Sequence, residues 1–129
     1  MSKIKVLLVD DELDLLKLLG QRIEGWGYDA LTVSSGQGAI EAVKNENPDI
    51  VILDYMMPEM NGAEVLREIR KISSNIQVVM FTAHADEKII TETEKLGIYA
   101  FIPKSSVYQD ARDTLKSVLA TIAKKLDRY

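Results

Sequence analysis

Five residues in this chain could do chemistry together, and each stands directly after a run of apolar residues. Asp10 and Asp11 follow Ile4 to Val9, Asp54 follows Ile50 to Leu53, Thr82 follows Ile76 to Phe81, and Lys104 follows Tyr99 to Pro103. Three acids, one hydroxyl and one ammonium offer hard oxygen ligands and a compensating cation. Clustered carboxylates raise one another's pKa unless a positive charge offsets them. A few carboxylates with bound water suit Mg²⁺ better than any softer ion. A cation site beside a lysine and a backbone turn is what phosphoryl transfer needs, since that reaction depends mostly on positioning and on neutralising phosphoryl oxygens. Asp54 is the candidate nucleophile.

These residues meet only if the apolar runs are parallel strands of one sheet. Ile50 to Leu53 is unbroken and partly β-branched, as in a strand buried on both faces. Between the runs lie helical spacings: Leu15, Leu16, Leu19 and Ile23; Ala39, Ile40 and Val43; Val65, Leu66, Ile69 and Ile72; and Val107, Ala111, Leu115, Val118, Leu119, Ile122 and Leu126. Ile89, Ile90 and Leu96 give the fourth helix only a thin apolar side, so it is expected to be the least firmly anchored. Asp86 can cap it and Gly97 can end it. Ser105 or Ser106 can cap the last helix. Tyr28 to Val33 is interrupted by Asp29 and Thr32, as expected of an edge strand lying outside the first. Five β-α alternations predict a parallel sheet covered on both faces, with ligands at the carboxyl ends of its strands.

The chain has 129 residues, 47% hydrophobic and 28% charged, which fits one folded domain. A formal charge of −4 with scattered cations argues against direct nucleic-acid binding. The absence of cysteine excludes disulfides, thiolate metal sites and cysteine nucleophiles. No segment approaches membrane-spanning length, so a cytoplasmic protein is expected.

Plainer roles exist for each residue. Asp10 and Asp11 could cap the first helix, Asp54 could be a turn acid, and Thr82 and Lys104 could be ordinary surface or strand-end residues. His84, the sole histidine, cannot build a metal cluster. Phe101 would by default be core.

Taken together, Val-Asp-Asp-Glu at 9 to 12, Asp54 with Met57-Pro58 and Gly62, Thr82-Ala83, and Phe101 three residues before Lys104 resemble the receiver domain of two-component response regulators. The resemblance covers essentially the whole chain. It implies a flavodoxin-like (βα)5 sheet of strand order 2-1-3-4-5, forming a single receiver domain over residues 1–129; no output domain is expected within this sequence, which is either a free-standing receiver or an excised one. It implies that Asp54 accepts a phosphoryl group from a histidine kinase or histidine phosphotransfer protein. Asp11, Asp54 and the Met56 carbonyl would ligate Mg²⁺, with Asp10 helping through water. Lys104 would pair with the phosphoryl oxygens and Thr82 would hydrogen-bond one of them. Thr82 and Phe101 would switch the face made by the fourth helix, fifth strand and fifth helix, which a downstream effector or output domain would bind. Family members commonly follow the lysine with a cis proline; here Pro103 precedes it and Ser105 follows, which leaves that peptide's geometry open. Phe101 lacks the hydroxyl of the tyrosine that also occurs there.

Two other functions share some of these features. A Mg²⁺-dependent phosphohydrolase would also begin with an aspartyl nucleophile, but Met56 stands where a general acid would be needed. A flavin or nucleotide binder would need a glycine-rich turn after the first strand, and none is present.

Overall fold

The computed structural model describes residues 3–104 and 108–126. Five strands alternate with five helices: β1 Lys5–Val9, α1 Leu13–Gly25, β2 Asp29–Val33, α2 Gly36–Glu46, β3 Ile50–Leu53, α3 Gly62–Ile72, β4 Gln77–Thr82, α4 Glu87–Lys95, β5 Ala100–Pro103 and α5 Tyr108–Leu126. All strand pairs are parallel, in the order β2-β1-β3-β4-β5. The expected architecture is therefore the observed one, a flavodoxin-like doubly wound sheet.

Strand pleating sorts successive side chains to opposite faces. Val6, Leu8, Ile50, Ile52, Val79 and Phe81 pack with α1 and α5, whereas Leu7, Val9, Val51, Leu53, Val78 and Met80 pack with α2 and α3. Central β3 is fully buried, while β2 has two exposed positions, as suits an edge.

Local signals set the helix boundaries. Ser35 Oγ accepts from the Gly38 N–H, so α2 starts inside the stretch from Ser34 to Gly38 that reads as a turn. Asn61 and Glu64 form a reciprocal capping box at the start of α3. Asp86 caps α4 through the Ile89 N–H, and Gly97, at φ 86°, follows its end. The plainer role for Asp10 and Asp11 is not met at the start of α1: its N-cap is Glu12, without a side-chain cap bond, so neither acid caps it. Ile72 keeps the helical spacing as the last residue of α3. It is 39% exposed, because the last residue of α3 overhangs an open groove lined by Pro48, Asn75 and Ile76. The caps expected at Ser105 or Ser106, the packing of Val107 and the Lys104–Ser105 peptide lie outside the described residues.

The turn between β3 and α3 is tight. The Gly62 N–H donates to the Tyr55 carbonyl at 2.7 Å. A methyl group at Gly62 would stand 2.6 Å from the Asp54 carbonyl oxygen and 2.8 Å from Tyr55 Cα. Backbone cannot yield as a flexible side chain can, so Gly62→Ala is expected to lose about 1–3 kcal/mol of stability. A urea midpoint equal to that of the wild type would refute this.

Candidate functional site

Parallel register brings the strand ends to one rim. Val9 pairs with Leu53, Leu53 with Met80, and Thr82 with Pro103. The next residue along β1 is Asp10 and along β3 is Asp54, and the Asp54 N–H donates to the Val9 carbonyl at 3.1 Å. The Lys104 N–H donates to the Thr82 carbonyl at 2.7 Å, which fixes the lysine beside β4.

The side chains converge as the sequence predicts. Carboxylate oxygens of Asp10, Asp11 and Asp54 lie within 4.8 Å of one another. Asp10 and Asp54 are 2% and 6% exposed, whereas Asp11 faces solvent. Lys104 Nζ donates to Asp10 Oδ2 at 2.6 Å and lies 3.6 Å from Asp54 Oδ2. It also stands 5.7 Å from the centroid of the Phe81 ring. Burial alone would lower the lysine's pKa, but the hydrogen bond to Asp10 and the charges of Asp54, Asp10 and Glu12 carry it above its ordinary value. It is an ammonium. Burial pushes the Asp10 carboxyl up, and the hydrogen bonds from Lys104 and the Glu12 N–H offset only part of that. One lysine leaves three acids undercompensated, and hard oxygen donors with solvent access at Asp11 fit a small divalent cation.

The remaining predicted residues are positioned differently. Thr82 is fully buried, and its Oγ1 accepts from the His84 N–H at 3.2 Å. Phe101 pairs with Met80 in register and is half-buried against the layer formed with α2 and α3. The Met56 side chain is 50% exposed, and its soft thioether does not suit a hard cation, so a ligand from this residue would be its backbone carbonyl.

Two participants were not singled out from the sequence. Glu12 Oε1 stands 3.8 Å from Lys104, and the Glu12 N–H donates to Asp10 Oδ1 at 2.9 Å. Its place as the third acid after β1 was the available signal. The Tyr55 N–H donates to Asp54 Oδ1 at 2.8 Å, and its phenol donates to Glu92 Oε1 at 3.0 Å. No local pattern announces a contact between residues 37 apart.

A doubly wound parallel sheet with buried acids and one lysine at its carboxyl rim defines a class of Mg²⁺-type phosphoacceptor domains. The chain belongs to the response regulator receiver domain family, which it matches over residues 6–116. It is 33% identical over 115 residues to sporulation initiation phosphotransferase F of Bacillus subtilis, covering 89% of this chain and 93% of that one. It is also 33% identical over 124 residues to the probable transcriptional regulator ycf27 of Porphyridium aerugineum, where 96% of this chain spans 51% of the relative. A CheY-like receiver domain protein of Methanospirillum hungatei superposes with a TM-score of 0.84 at 24% identity, over 96% of this chain and 99% of that one, which supports the fold. As a receiver domain, this chain is a phosphoacceptor of two-component signalling rather than a true enzyme, and it spans about half or less of the length of several curated relatives that it matches. The phosphohydrolase alternative is thereby set aside.

Proposed function

We propose that Asp54 is the phosphoacceptor and that residues 1–129 act as one receiver unit. The carrying observation is a buried strand-end carboxylate whose Oδ2 faces Lys104 at 3.6 Å, beside two further acids. In the proposed step an Asp54 oxygen attacks the phosphorus of a phosphohistidine on a kinase or histidine phosphotransfer protein. The P–O bond forms as the P–N bond breaks, and the imidazole nitrogen keeps the electron pair and is protonated from solvent. Lys104 meets the phosphoryl oxygens with its positive charge. Asp11, Asp54 and the Met56 carbonyl would hold Mg²⁺ directly, and Asp10 through water; the ion, when bound, neutralises phosphoryl charge.

Thr82 Oγ1 accepts from the His84 N–H and keeps its own hydrogen to donate, so reaching a phosphoryl oxygen would shift Thr82 toward Asp54 and draw on the turn at His84. That movement would open space for Phe101 to turn further inward, reshaping the α4-β5-α5 face that an effector or output domain reads. The coupling expected of such a device is ~1–3 kcal/mol. Among the described residues no helix is long and apolar enough to cross a membrane, and the net charge of −4 offers no footprint for nucleic acid. A cytoplasmic signalling protein fits both.

The reading is tested by incubating the protein with phosphoramidate. Intact mass should rise by one phosphoryl group with Mg²⁺ or Mn²⁺ and not after chelation. Asp11→Asn should raise the metal concentration required more than Asp10→Asn does, because the direct ligand is lost. Uptake indifferent to chelator would contradict the metal's role, and equal metal requirements in the two variants would contradict the assignment of the direct ligand.

A further inference from the structure

Tyr55 holds the phosphoacceptor with its backbone and a distant helix with its side chain. Its N–H engages Asp54 Oδ1, which leaves Oδ2 as the oxygen turned toward Lys104. Its phenol donates to Glu92 Oε1 on α4, and the other oxygen of Glu92 accepts from Arg67 on α3 at 3.1 Å.

Among the described residues α4 has few other ties. Thr93 is its one fully buried residue, and the Thr93 hydroxyl donates to carbonyls of the same helix, those of Ile89 and Ile90. At the far end, Arg70 donates to the carbonyls of Leu96 and Gly97 at 3.4 and 2.6 Å. Among the described residues, polar contacts thus hold this helix at two points, and one of them is the side chain of Tyr55, the residue after Asp54. The Arg67–Glu92 pair borders an open groove of about 680 Å³, so water screens it. Its effect is to orient Glu92 so that Oε1 faces the phenol. The phenol is the donor in this bond, because a carboxylate oxygen can only accept.

We propose that Tyr55 is a positioning residue for phosphoryl transfer, joining the geometry of the Asp54 carboxylate to the placement of α4 through Glu92. This rests on Asp54 being the phosphoacceptor. With the phenol anchored, the Tyr55 peptide keeps its N–H on Oδ1; with the anchor lost, the carboxylate rotates more freely and α4 loosens. Coupling between sites is reciprocal, so a partner that displaces α4 changes the ease of phosphorylation, and phosphorylation changes the ease of displacing α4.

The test combines two readouts on the full chain: the rate of phosphoryl uptake from phosphoramidate with Mg²⁺, and amide hydrogen exchange across residues 87–95. Tyr55→Phe and Glu92→Ala should each speed α4 exchange and slow uptake roughly fivefold, the scale of one lost hydrogen bond. The double variant should be no worse than Glu92→Ala alone, since that substitution already removes the Tyr55 contact together with the one to Arg67. Of the ties to α4, Arg70→Ala frees only the turn after it, at Leu96 and Gly97, and leaves the Tyr55–Glu92 bond in place, so it should leave the uptake rate at the wild-type value. Wild-type exchange in Tyr55→Phe, wild-type uptake in Glu92→Ala, additive effects in the double variant, or slowed uptake in Arg70→Ala would each overturn the coupling. A wild-type protein that takes up no phosphoryl group at Asp54 would instead overturn the functional reading beneath it.

Discussion

Asp54→Asn is expected to abolish phosphoryl uptake from phosphoramidate while leaving the fold intact. The carboxamide keeps the size of the side chain and an oxygen for the Tyr55 N–H at 2.8 Å, so the turn into α3 is undisturbed. What disappears is the nucleophile: an amide oxygen carries no formal charge, and Lys104 then faces a neutral group. Asp10 already holds that lysine at 2.6 Å and Asp11 faces solvent, so neither takes over in the geometry described. The variant should gain no phosphoryl mass under conditions that label the wild type fully, with an unchanged circular dichroism spectrum. Labelling at the wild-type rate would move the site elsewhere.

Lys104→Met should produce the largest loss of stability among the site variants. The change keeps the apolar stem and removes the charge, which leaves buried Asp10 beside Asp54 with no cation. Breaking a buried pair by deleting one partner costs about 3–5 kcal/mol, less whatever is relieved when Asp10 takes up a proton. The Asp10 carboxyl is already above its ordinary value through burial, and without Lys104 it rises further. A carboxyl raised in the folded state contributes its stability below the ordinary carboxylate range and loses it as pH climbs through the raised value. The variant should therefore be closest to wild type in mild acid and fall behind toward neutral pH. Mg²⁺ should restore much of the deficit, since it supplies the missing positive charge. Thermal melts across pH, with and without Mg²⁺, decide this; a deficit independent of both would mean that packing, not charge, was lost.

Most of the fold was legible because its signals are local. Apolar runs of strand length and 3.6-residue spacings alternate without interruption, and parallel pairing then has little choice but to bring Asp10, Asp54, Thr82 and Lys104 to one rim. What escaped depends on how helices sit relative to one another. Ile72 carries the helical period of α3 but lies where the helix outruns its cover. The Asn61–Glu64 capping box was written in the sequence as an Asn three residues before a Glu, inside a turn otherwise marked by Pro58 and Gly62. Arg70 reads as one more surface cation on α3, yet its guanidinium reaches the carbonyls of Ile76, Leu96 and Gly97. The Tyr55–Glu92 bond could not be read at all, because it requires the packing of α4 against α3 to be known first.

The most direct test of the central claim is chemical. An acyl phosphate is reduced by borohydride to the alcohol, so a phosphorylated aspartate becomes homoserine and can be located by peptide mass spectrometry. The wild-type protein, labelled with phosphoramidate and Mg²⁺ and then reduced, should carry homoserine at position 54 alone. Homoserine at position 10 or 11, or a labelled protein that borohydride leaves unchanged, would contradict the assignment of Asp54 as the phosphoacceptor.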